Sequence, residues 1–176
     1  AARAGRAQAG GPARLQRIDE GQDYFAIVDS AHKPAAVAAV IATLRSEIKG
    51  RLCVVLGAGG DRDASKRAIM GREAARGSDL FIVTDDNPRS EDPAVIRAAV
   101  EAGAYELPTE ERGEVRNIGD RAAAIRAAIA WAEPGDAVLV AGKGHETGQN
   151  VNGVIHHFDD REEVRAALQE RRTGSL

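Results

Sequence analysis

The chain has 176 residues, with 24 Lys and Arg against 27 Asp and Glu and a net charge of −3, so it offers no electrostatic basis for binding nucleic acid or an anionic membrane. No apolar run approaches the roughly 20 residues needed to cross a bilayer, and the N-terminal stretch lacks the apolar segment of a secretory signal, so a cytoplasmic protein is expected. A domain of this length buries roughly 70% of its unfolded surface and needs no disulfide; Cys53 is the only cysteine and reads as a small buried hydrophobe between Leu52 and Val54.

Residues 1–13 are rich in Ala, Gly and Arg without a large apolar residue, as in a linker or tail, and the lack of an initiator Met is expected of a piece of a longer protein. Four short apolar runs follow, Phe25 to Val28, Leu52 to Leu56, Leu80 to Val83 and Ala137 to Val140, each reading as a buried strand. Between the first two, Val37, Val40, Ile41, Leu44 and Ile48 share one helical face behind Pro34, which suits a first helical turn. Helical spacing recurs over Lys66 to Arg76, Pro93 to Glu101 and Asp120 to Ala132. Val115 to Ile118 is compatible with a further strand, Val151 to Phe158 around Asn152-Gly153 reads as a hairpin, and Asp160 can cap a last helix carrying Val164 and Leu168. Residues 14–170 are the expected domain and residues 171–176 a tail.

Strand and helix alternate, which predicts an open, mostly parallel α/β sheet whose ligand crevice lies beyond the carboxyl ends of the strands. The segments expected there are chemically rich. Gly57-Ala58-Gly59-Gly60 fails the dinucleotide fingerprint because Arg62 stands where the third glycine belongs, and Gly-Lys-Ser/Thr occurs nowhere, which excludes a P-loop. Those glycines can simply make a tight turn. Arg62 and Arg67, near a helix start where cations oppose the macrodipole, can grip a carboxylate or phosphate, or belong to a solvated charged turn. Asp85-Asp86-Asn87-Pro88-Arg89 combines carboxylate, carboxamide and guanidinium around a stiffening proline; it suits a zwitterion and equally an Asx-capped turn. Gly142-Lys143-Gly144-His145-Glu146 lets backbone amides approach a ligand beside a carboxylate. No second His or Cys stands at zinc-like spacing from His145, and His156-His157 suits a structural role in the hairpin.

In chain order, Asp29-Ser30-Ala31-His32-Lys33-Pro34, Gly59-Gly60-Asp61-Arg62-Asp63, Lys66-Arg67 with Met70-Gly71, Asp85 to Arg89, and Ala141 to Glu146 together resemble the C-terminal domain of the Mur ligase family, in particular members that add meso-diaminopimelate, over about Leu15 to Leu168. The resemblance implies a three-layer Rossmann-like α/β fold with an open, mostly parallel sheet. It implies that Arg62, Asp86, Asn87, Pro88, Arg89, Gly142 and Glu146 bind meso-diaminopimelate, with Arg89 and Asn87 reading its distal carboxylate. Arg14, Asp29 and His32 would face ATP.

Family members let ATP, with Mg2+, phosphorylate a carboxylate on a nucleotide-linked peptide, UDP-MurNAc-L-Ala-D-Glu in the diaminopimelate-adding members, and the incoming amine then attacks the acyl phosphate and expels phosphate. The P-loop and the metal ligands belong to a central domain that this chain lacks. The isolated chain is therefore expected to be inactive, with no catalytic residue, metal or cofactor of its own. Ser30 replaces the family's usual aromatic, which alters packing near the nucleotide. Two other readings share the architecture: a free-standing module that binds an amino acid or nucleotide without chemistry, and the C-terminal domain of a folate polyglutamate ligase. The latter gives no reason for Asn87-Pro88-Arg89 or for Lys143 to Glu146.

Overall fold

In the computed structural model, which describes residues 15–176, the apolar runs become strands and the helical stripes become the helices that cover them. Arg14 lies outside the described residues. The order is β1 (Gln16–Ile18), β2 (Phe25–Asp29), α1 (Pro34–Glu47), β3 (Leu52–Leu56), α2 (Arg67–Gly77), β4 (Leu80–Val83), α3 (Pro93–Ala104), β5 (Glu114–Asn117), α4 (Arg121–Trp131), β6 (Ala137–Ala141), β7 (Gly148–Val151), β8 (Val154–His157) and α5 (Asp160–Arg172).

Six strands form one sheet in the order β1-β2-β6-β3-β4-β5. All neighbours pair in parallel except β1, which runs antiparallel to β2 on the edge. The path explains the layering. Crossovers through α1, α2 and α3 advance along the sheet, and α4 then brings the chain back to insert β6 between β2 and β3. With right-handed crossovers, a reversal of direction moves the helix to the opposite face. Leu52, Val54 and Leu56 accordingly pack with Val37, Ile41, Met70 and Val100 on one side. Cys53 and Val55 pack with Ile125, Ile129, Val164 and Leu168 on the other. Every residue of β3, β4 and β6 is buried, which is why these strands read as continuous apolar runs rather than alternating ones.

Three details differ from the sequence-based expectation. The edge strand β1 was not foreseen. Asp159, not Asp160, caps α5, accepting from the Arg161 amide, and α5 continues to Arg172. The hairpin starts at Gly148, and β7 and β8 form a separate two-stranded sheet. That hairpin docks on the loop after β4, where the Arg89 amide donates to Asn150 O at 2.9 Å and the Asn152 amide to Arg89 O at 2.8 Å.

Candidate functional site

The loops that leave β3, β4 and β6 converge at the carboxyl ends of adjacent strands, around a cavity of about 400 Å³. Arg62, Asp86, Asn87, Arg89, Gly142 and Glu146 all line it, as does His32 from the turn after β2. Pro88 is buried behind the wall rather than in it.

The loops after β3 and β4 are stitched together. The Gly60 amide donates to Asn87 O at 2.8 Å, and the Arg89 guanidinium donates through Nη1 to Gly60 O at 2.9 Å. Such an approach needs glycine, since a Cβ on Gly60 would stand 1.8 Å from Pro88 O. Asp61 and Arg89 both adopt left-handed backbone, φ 54° and 52°, a conformation costly for residues other than glycine. Neighbouring contacts hold it: the Ser90 hydroxyl donates to Asp61 Oδ1 at 2.6 Å, and the Asp61 amide to Glu91 Oε2 at 2.6 Å. The Ser90 hydroxyl is also the chief reason the Asp61 carboxyl titrates below its usual range. Beneath them the buried Arg67 grips Glu91 with both terminal nitrogens, at 3.2 and 2.7 Å, which holds the Glu91 carboxyl below its usual range. Arg67 is therefore a strut, and Arg62 is the more exposed guanidinium of that segment.

The loop after β6 brings a buried cation. Lys143 donates to Asn87 Oδ1 at 3.0 Å and to Gly148 O at 2.8 Å. Its Nζ also lies 3.5 Å from Asp86 and 3.7 Å from Glu146. Gly142 has φ 113°, and a Cβ there would come within 2.8 Å of Asp86 Oδ2. Asp85 turns away from the cavity and pairs with Arg97.

Asp29 is buried at the end of β2, with its two carboxylate oxygens taken by the Leu15 and Ala31 amides, each at 2.7 Å. Its carbonyl accepts from the Gly142 amide at 3.0 Å. Asp29 thus shapes the turn that presents the exposed His32 and does not itself line the cavity.

A family model described as Mur ligase, glutamate ligase domain, matches residues 13–144. This chain belongs to the Mur ligase family. It is 65% identical over 167 residues to the UDP-N-acetylmuramoyl-L-alanyl-D-glutamate--2,6-diaminopimelate ligase of Corynebacterium glutamicum, covering 94% of this chain and 32% of that protein. A solved structure of a ligase of the same name superposes with a TM-score of 0.83 at 40% identity, covering 93% of this chain and 32% of that one. The chain thus spans about a third of the length of the relatives it matches. Folylpolyglutamate synthase from Thermotoga maritima, at 23% identity and a TM-score of 0.53 over 77% of this chain and 28% of that one, shares the fold alone.

In this Mur ligase domain the cavity is lined by cations, Arg62, Lys66 and Arg89, interleaved with the carboxylates Asp63, Asp86 and Glu146. Such a pattern complements a ligand with both ammonium and carboxylate groups. Two buried charges escaped the sequence-based assignment of site residues, Lys143 and Arg121. Arg121 is fully buried, pairs with Asp160 at 2.7 Å, and donates to Ala141 O at 3.0 Å and Asp85 O at 3.2 Å, the exits of β6 and β4. A lysine flanked by glycines was a usable signal, because a charge placed directly behind a buried strand must find partners. Nothing comparable marks Arg121, which opens an ordinary amphipathic helix.

Proposed function

We propose that this domain binds meso-diaminopimelate and presents it to the active site of an ATP-dependent ligase that joins it to UDP-MurNAc-L-Ala-D-Glu in peptidoglycan synthesis. The supporting observation is the disposition of Arg89. One of its nitrogens is anchored on Gly60 O while the guanidinium borders the same cavity as Glu146, so a donor and an acceptor of opposite charge line one cavity. A guanidinium can bind a carboxylate through two parallel hydrogen bonds. Glu146, more than half exposed, can accept from an ammonium.

On this reading Arg89 and the Asn87 amide take the distal carboxylate, Arg62 the other carboxylate, and Asp86 and Glu146 the ammonium at one end. The opposite amine stays free to attack. Gly142 lets the loop after β6 approach the ligand, and Pro88 stiffens the reading loop from behind. His32, exposed where it lines the cavity, suits the ATP side, and Asp29 contributes by holding its turn. When bound, ATP activates the dipeptide carboxylate and Mg2+ offsets phosphate charge. No P-loop sequence is present, and among the described residues no cluster of carboxylates, His or Cys suits a metal ion, so metal and phosphates would be held by another part of the ligase.

Arg89→Ala in the full-length ligase tests the assignment. A charge-assisted bond is worth about 1.5–3 kcal/mol, so kcat/KM for meso-diaminopimelate should fall about 10- to 100-fold. Any activity with lysine, which lacks the distal carboxylate, should change little. Equal losses for both amino acids would contradict the role of Arg89.

A further inference from the structure

We infer that Lys143 is a specificity-determining positioning residue: with the Asn150 amide, it locks the Asn87 carboxamide so that its free edge only donates. The inference rests on the reading of the cavity as an amino-acid site and sharpens what that site selects. An asparagine side chain can offer either its oxygen or its NH2 to a ligand, and rotation by half a turn exchanges them. Here the choice is settled by chemistry. The atom of Asn87 nearest Lys143 Nζ, at 3.0 Å, also lies 2.9 Å from the Asn150 amide nitrogen. An ammonium and a backbone N–H are obligate donors, so that atom must be the oxygen.

The NH2 therefore points the other way, where its contact among the described residues is Glu146 Oε1 at 3.4 Å. A second N–H remains for a ligand. Lys143 is suited to this task because it cannot swing away: its side chain is wholly buried and its Nζ is also held by Gly148 O at 2.8 Å. The nearby carboxylates Asp86 and Glu146 offset the cost of burying the ammonium. Together these contacts tie the loops after β4 and β6 to the start of β7. The consequence is discrimination: at this position the cavity accepts a carboxylate oxygen and rejects a second ammonium.

The test uses the full-length ligase and steady-state kinetics with meso-diaminopimelate, ATP and the nucleotide-linked dipeptide varied in turn. Asn87→Asp leaves an acceptor for Lys143 and Asn150 but replaces the donating edge by oxygen. It should raise KM for meso-diaminopimelate at least as much as Asn87→Ala, about tenfold or more, with KM for ATP unchanged. Lys143→Met should raise the same KM, and Asn87→Ala added to it should cost much less than in the unaltered enzyme, because the two act as one unit.

Near-normal use of meso-diaminopimelate by Asn87→Asp, or strictly additive effects of Lys143→Met and Asn87→Ala, would overturn the inference. If Lys143→Met fails to fold, Asn87→Asp, which keeps the contacts of Lys143, still decides. Failure of the underlying site reading would look different: Arg89→Ala would then also leave KM for meso-diaminopimelate unchanged.

Discussion

Arg121 and Asp160 face each other with both side chains fully buried, joined by two hydrogen bonds of 2.8 and 2.7 Å. Two further guanidinium N–H groups reach the carbonyls of Asp85 and Ala141, so one ion pair spans α4, α5 and the exits of two strands that feed the cavity. Burial opposes the charge on Arg121, and the adjacent Asp160 carboxylate more than compensates, so its pKa rises. Removing one member leaves the other charged and dry, which costs about 3–5 kcal/mol. Asp160→Ala should lower the unfolding free energy by that amount in urea titrations. The double change Arg121→Met with Asp160→Leu should recover most of it, since apolar replacement of a buried pair is often nearly neutral. A loss below about 1 kcal/mol for Asp160→Ala would contradict this account.

Gly60→Ala should misplace the reading loop. The added Cβ meets the backbone oxygen of Pro88, an atom that can move only with the loop itself. Overpacking of this kind costs about 1–3 kcal/mol. The expected result is a lower melting temperature together with a raised KM for meso-diaminopimelate; unchanged values for both would contradict the close approach of the two loops.

His157 should titrate above its ordinary value of 6.5, because Glu162 Oε2 accepts from its Nε2 at 2.7 Å and favours the charged ring. The sign follows from linkage. A raised folded value gives a stabilising contribution that is complete below the unfolded pKa near 6.5 and lost as pH rises through the folded value. NMR titration of the imidazole should show the shift, and Glu162→Gln should return it toward the ordinary value. A native His157 titrating at or below 6.5 would contradict the pairing.

Cys53 is wholly buried in β3, and burial pushes its thiol far above the usual range. A thiol reagent such as DTNB should therefore label the native protein only at the rate of unfolding. Rapid labelling without denaturant would place the thiol at the surface.

The sheet was largely legible from the chain because buried parallel strands announce themselves as apolar runs, and β3, β4 and β6 are buried at every position. β1 was not legible: three residues, Gln16 to Ile18, with only Ile18 buried, form no pattern, and their register comes from pairing with β2. The cavity residues were legible as types at strand ends. Their division into struts and presenting groups was not. Whether Arg67 or Arg62 faces a ligand depends on Glu91, 24 residues beyond Arg67, and whether Asn87 donates or accepts depends on Lys143, 56 residues away. Such partners are fixed by topology, which local sequence does not encode.

A crystal structure of the full-length ligase with meso-diaminopimelate bound tests the central claim most directly. The distal carboxylate should lie within hydrogen-bonding distance of the Arg89 guanidinium and Asn87 Nδ2, with an ammonium on Glu146. A ligand bound with an ammonium against Asn87, or bound outside this cavity, would contradict it.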